Sequence, residues 1–73
     1  MDEYGTIKIK IDEVMARKGL SKTKLAHMAF LDRKQLNKLL DGSAARVDFA
    51  VLSRICHALD CKIEDILEYV PRT

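Results

Sequence analysis

Residues 21–42 read SKTKLAHMAFLDRKQLNKLLDG. Ser21 stands where a helix N-cap belongs, its hydroxyl placed to accept from backbone N–H groups two or three residues on. Leu25, Ala26 and Ala29 then supply an apolar stripe at helical spacing, which predicts a short helix over about 22–29. Phe30-Leu31 interrupts the stripe, and Asp32 offers a second N-cap to the run Arg33-Lys34-Gln35-Leu36-Asn37-Lys38-Leu39-Leu40. That run closes at Asp41-Gly42, with a glycine suited to the left-handed position that ends many helices. Its inward stripe is Leu36, Leu39 and Leu40, at i, i+3 and i+4, so Arg33, Lys34, Gln35, Asn37 and Lys38 share the outward arc. Each of those five side chains can donate hydrogen bonds.

Upstream, Thr6-Ile7-Lys8-Ile9-Lys10-Ile11 alternates apolar and basic residues, the period of a short strand buried on one face. From Asp12 the period changes. Val14 and Met15 are apolar, Asp12 and Glu13 occupy a first turn, Arg17 and Lys18 a last turn, and Gly19 lies beyond, the ordered start and stop signals of a first helix. Downstream, Ser43 to Val47 reads as a loop carrying Arg46. Asp48 is a further N-cap, and a fourth helix places Phe49, Leu52, Ile55, Cys56 and Leu59 inward. After Asp60-Cys61-Lys62, Ile63, Ile66, Leu67 and Val70 stripe a fifth helix, with Glu64 and Asp65 in its first turn and Pro71 ending it. Ile7, Ile9, Tyr69 and Val70 are expected as core or edge cover, a subset of them available for a dimer seam. With no internal repeat and no linker, residues 1–73 are expected to form one domain.

A chain of 73 residues supports one small core, which excludes a multi-domain enzyme. At 48% hydrophobic and 33% charged it has the balance of a folded domain and not of a disordered chain. No apolar run approaches the roughly 20 residues of a membrane span, and Met1-Asp2-Glu3 carries the wrong charge for a secretion signal; a cytoplasmic protein without membrane contact is expected. The net charge of +2 favours no partner, but its distribution does. Residues 1–16 carry Lys8 and Lys10 against Asp2, Glu3, Asp12 and Glu13, a net −2. Residues 17–46 carry Arg17, Lys18, Lys22, Lys24, Arg33, Lys34, Lys38 and Arg46 against only Asp32 and Asp41, a net +6. Residues 47–73 return to −2, with Arg54, Lys62 and Arg72 against Asp48, Asp60, Glu64, Asp65 and Glu68. A basic centre between acidic flanks asks for an anionic partner at one face.

Cys56, His57 and Cys61 nominally offer metal ligands, but one loose C-x4-C with His27 distant does not match the paired knuckles of structural zinc. Buried thiols are the favoured reading, and neither a metal site nor a cofactor is expected; a small metal-responsive sensor is the weaker alternative. No nucleophile with a base, carboxylate pair or Gly-rich phosphate loop accompanies the histidines, so neither enzymatic activity nor a small-molecule substrate is expected.

Five short helices, the second and third joined by a tight turn, resemble the lambda-repressor-like, Cro/cI-type (XRE-like) helix-turn-helix family. The resemblance covers nearly the whole chain. It rests on Leu25-Ala26, Leu31, Leu36, Leu39 and Gly42, and on the closing run Leu52-Ser53-Arg54-Ile55-Cys56-His57-Ala58-Leu59-Asp60-Cys61 followed by Asp65-Ile66-Leu67. The spacing also has a physical reason. Ala26 must be small where the second helix approaches the third, which Leu36 and Leu39 anchor. The fold expected is all-α, a five-helix domain with a short N-terminal strand and the helix-turn-helix at about 22–41. Two positions depart from the family pattern: Phe30 stands where glycine is usual, and Asp32 where Ser or Thr is commoner. Either Phe30 takes a positive φ or the second helix runs longer, with the ring against a neighbouring helix or a partner subunit.

The resemblance implies a sequence-specific transcriptional regulator, bacterial, mobile-element or phage in origin, whose third helix enters the major groove of double-stranded DNA. It maps base contacts onto Arg33, Lys34, Gln35, Asn37 and Lys38. Arg or Lys can donate to guanine O6 and N7, and Gln or Asn can pair with adenine. Ser21, Lys22 and Lys24 at the start of the second helix, and Arg46 in the loop, are the candidates for phosphate contact. The plainer alternative for the same basic run, outweighed here by the fold match and the segregated charge, is a solvated helix face. The other alternative is an antitoxin-like or anti-repressor subunit that keeps the fold and binds protein, for which Phe30 and Asp32 speak. One module has a small footprint and the strand a free edge, so a homodimer on a pseudo-palindromic operator is expected.

Overall fold

The core is assembled from one apolar stripe per helix. In a computed structural model, which describes residues 4–72, the order is β1 (Thr6–Ile9), α1 (Ile11–Lys18), α2 (Lys22–Met28), α3 (Arg33–Leu40), α4 (Phe49–Leu59), α5 (Ile63–Ile66) and β2 (Leu67–Val70). Met1–Glu3, on which the expectation of no secretion signal rests, lie outside the described residues. Ile11, Val14 and Met15 of α1 meet Leu25 and Ala26 of α2, Ala29 just beyond it, Leu36 and Leu39 of α3, Leu52, Ile55 and Leu59 of α4 and Ile66 of α5. Among the described residues no polar or charged side chain is buried, so burial of apolar area dominates the stabilisation. Among the described residues no helix is long and apolar enough to cross a membrane.

The helices begin and end where their local chemistry directs. Ser21 Oγ accepts from Lys24 N at 3.1 Å and caps α2. Gly19 ends α1 in the left-handed region, at φ 67. Asp48 occupies the N-cap position of α4, although its carboxylate makes no capping hydrogen bond there. α2 packs on both α3 and α4, and Ala26, buried on α2, supplies the small surface this approach needs.

Three expectations are corrected. The fifth helix stops at Ile66, and Leu67–Val70, expected as its last turn, forms β2 antiparallel to β1 with Ile7 opposite Tyr69 and Ile9 opposite Leu67. The ladder continues through Lys10 N to Ile66 O at 2.8 Å. An isolated β1 would leave its backbone donors and acceptors without partners, and Tyr69 and Val70 suit a pleated strand better than a helix end. One edge of β1, expected to be open to a twin, is therefore filled from within the chain. Gly5 lets the strands close up, because a Cβ there would come within 2.6 Å of Val70 O. Second, β1 is not buried on one face, for Ile7 is 57% exposed and Ile11 belongs to α1. Third, Phe49, expected inward on α4, is 86% exposed. It shares the helix's apolar face but lies at the end where no other element covers that face.

Leu36 is the only fully buried anchor on α3. Leu36→Ala is expected to cost about 2–5 kcal/mol, comparable to the whole stability of so small a domain. Urea unfolding followed by circular dichroism checks this, the variant being largely unfolded before denaturant is added.

Candidate DNA interface

α3 divides as its sequence requires. Leu36 and Leu39 are buried and Leu40 half-buried, whereas Arg33, Lys34, Gln35, Asn37 and Lys38 are all exposed. With roughly 100° of rotation per residue, Lys34 and Lys38 stand opposite the buried stripe, with Asn37 on one flank and Gln35 on the other. Asp32 fixes where this helix begins. Its Oδ1 accepts from Gln35 N at 2.7 Å, and Asp32 N donates back to Gln35 Oε1 at 3.2 Å, a reciprocal capping box. The box leaves the Gln35 side-chain NH2 as the group able to point outward. Asp41 closes α3, its Oδ1 accepting from Ser43 N at 2.9 Å. Hydrogen bonds from the Ser43 side chain and then its backbone hold the Asp41 carboxyl below its ordinary pKa. Gly42 follows at φ 77, a conformation a Cβ would strain.

The outward residues are joined to the rest of the basic segment in three ways. Gln35, Lys38 and Arg46 line one cleft of about 210 Å³ between α3 and the following loop, floored by Leu31, Leu39 and Val47. Asn37 and Lys22 share a cleft with Asp12 and Asp41 on the opposite flank. Arg33 Nη1 donates to Thr23 Oγ1 at 3.1 Å and so reaches back across the turn onto α2. Ser21 and Lys24 are exposed at the start of α2, the Ser21 oxygen accepting the capping hydrogen bond there. All nine candidate side chains are thus at the surface on α3, at the start of α2 or in the loop after α3.

The turn takes the first of the two forms expected. α2 ends at Met28 and Phe30 adopts φ 57, a left-handed conformation that costs an L-residue roughly 1–2 kcal/mol. Its ring is 81% exposed. Arg54 on α4 crosses to this turn, donating from Nε to Ala29 O at 2.7 Å and placing its guanidinium 5.8 Å from the Phe30 ring centre.

Thr23, Arg54 and Asp12 belong to this surface or its support, although the sequence reading assigned them no such role. A cation on the flank of α4 opposite the C-terminus of α2 has a favourable helix-dipole position. Its acceptor, however, lies 25 residues away, beyond any local pattern. Cys56 and Cys61 are free thiols, half-buried against the core. Burial, and then the neighbouring Cys56, push the Cys61 thiol up in pKa, so it stays protonated.

Comparison with known proteins decides the family. The Cro/C1-type HTH DNA-binding domain matches residues 10–72. The chain belongs to that family. This Cro/C1-type domain is 36% identical over 61 residues to the Bacillus subtilis protein described as the uncharacterized HTH-type transcriptional regulator YozG, covering 84% of this chain and 73% of that one. Among solved structures it is similar to the restriction-modification controller protein C.AhdI from Aeromonas hydrophila, at TM-score 0.69 and 27% identity over 77% of this chain and 83% of that one. The transcriptional regulator VanUg shares the fold at TM-score 0.76 and 24% identity, over 96% of this chain and 92% of its own.

The capping box has a direct test. Asp32→Ala is expected to lower stability by about 1 kcal/mol, read as a shifted urea midpoint. An unchanged midpoint would mean that α3 is started by something other than this carboxylate.

Proposed function

We propose that this Cro/C1-type domain is a sequence-specific transcriptional regulator of the cytoplasm that occupies operator DNA with α3 in the major groove. The observation that carries this reading is the outward arc of α3: five exposed donor-bearing side chains on a helix whose other face is anchored in the core, inside the segment that holds the chain's excess of positive charge. Lys34 and Lys38, at the centre of the arc, donate to guanine O6 and N7. Gln35, its carbonyl oxygen engaged by Asp32 N, approaches as a donor and selects a base-edge acceptor. Asn37 keeps both functions and suits adenine. Arg33, bonded to Thr23, reads a base only by leaving that partner. Lys22 and Lys24 meet phosphate on one side of the groove and Arg46 on the other, where they position the helix without reading sequence. Ser21 holds its cap and offers its hydroxyl to the same backbone.

A single module of this size makes a limited footprint, and a homodimer doubles it. Support for a second copy comes from the apolar surface of Ile7, Tyr69 and Phe49, which borders a groove of about 410 Å³ floored by Leu52 and Leu67. A two-fold pair puts two α3 helices on successive major-groove faces, with half-sites about one helical turn, roughly 10 bp, apart.

Selection from random duplexes followed by salt titration tests the reading. Lys34→Ala and Lys38→Ala are expected to relax base preference at defined positions by about 1–3 kcal/mol each, whereas Lys22→Ala weakens all sequences alike and reduces the salt slope by about 1. If no motif is enriched, the fold is serving protein recognition instead. For the assembly, sedimentation at micromolar concentration is expected to show a dimer that Phe49→Glu dissociates. A monomer both alone and on a two-half-site operator removes the dimer.

A further inference from the structure

The turn between α2 and α3 is held in a conformation that its own residues do not favour. Phe30 is an L-residue at φ 57, and its 81% exposed ring gains nothing from the core. Locally, the turn has the hydrogen bonds from Leu31 N to Ala26 O at 2.9 Å and from Phe30 N to His27 O at 3.4 Å. The carbonyl just before the strained residue belongs to Ala29, which is fully buried. It accepts from Arg54 Nε at 2.7 Å, and the same guanidinium lies 5.8 Å from the Phe30 ring centre. One half-buried side chain from α4 therefore grips the peptide before Phe30 and the side chain of Phe30 together. Three residues after Phe30, α3 begins. The backbone angles at 29–31 consequently set the direction in which α3 leaves α2.

We propose that Arg54 is a positioning residue for DNA reading. By holding Ala29 O and the Phe30 ring, it keeps the turn in the left-handed form that aims Lys34 and Lys38 at the groove, without touching DNA itself. This rests on the reading of α3 as the DNA-facing helix. The ring contact needs a side chain at position 30, and the hydrogen bond to Ala29 O offsets a strain that only a Cβ at that position creates. Glycine there adopts the same φ without strain and lets the preceding carbonyl turn toward water.

The experiment is a cycle of wild type, Arg54→Ala, Phe30→Gly and the double variant. Each is measured on its selected operator, on random duplex, and, without DNA, by hydrogen exchange of the Leu31 amide. Arg54→Ala is expected to weaken operator binding about tenfold while random-duplex binding stays within about twofold, and to speed Leu31 exchange about tenfold. In the Phe30→Gly background the same change is expected to cost less than about threefold in operator binding and in exchange. Equal losses in both backgrounds overturn the proposal, as does a parallel fall on operator and random DNA, which would make Arg54 a phosphate contact. Should Arg54→Ala fail to fold, a folded double variant supports the coupling and an unfolded one overturns it. If the wild type shows no operator preference, it is the DNA reading that fails, and Leu31 exchange still decides the clamp, an unchanged rate in Arg54→Ala overturning it.

Discussion

Leu36 and Leu39 are buried on α3 while five polar neighbours on the same eight-residue helix stay in water, and the use of the domain depends on that division. Burying a leucine stabilises by about 1.5–3 kcal/mol, enough to fix the rotation of a short helix that could not persist alone. Because the rotation is fixed from inside, the outward side chains are presented in one order, with Lys34 and Lys38 central and Asn37 and Gln35 at the sides. The small Ala26 on α2 and the Asp32 cap then settle how close α3 lies and where it starts.

α3 was legible in the sequence because all its determinants are local: a cap, an i, i+3, i+4 stripe and a closing glycine fall within eleven residues. The basic segment was legible for the same reason, since it needs only a count along the chain. Residues 67–70 read as helix because Leu67 and Val70 also satisfy a helical stripe with Ile63 and Ile66. What turns them into a strand is β1, whose Thr6 pairs with Val70 from the far end of the sequence. Phe49 reads as inward and is exposed because periodicity reports which side of a helix is apolar and not how far along it the neighbouring elements extend. The role of Arg54 leaves no mark in the sequence, as its acceptor is a main-chain oxygen that no residue type signals.

The carboxylates at the two ends of α3, beside the arc proposed to face DNA, are explained by the structure and not by affinity for DNA. Asp32 and Asp41 repel phosphate in principle, yet each is committed to a backbone N–H at an end of α3. Their placement confines the basic arc to the turns between them, so the helix presents its positive charge over a short length.

The pairing of β1 with β2 joins the two ends of the described chain side by side. Thr6 and Val70 are direct neighbours in the ladder, separated by about 5 Å between Cα atoms, while the helix-turn-helix lies in the middle of the sequence. The stretch from Thr6 to Val70 is therefore nearly a closed ring. A short bridge across those ends would permit circular permutation, or insertion of the domain into a surface loop of a host protein, without stretching the fold. The clasp also has a kinetic side: it joins the first element to the last, so its loop-closure entropy is most readily met once the helices have already brought the two strands together.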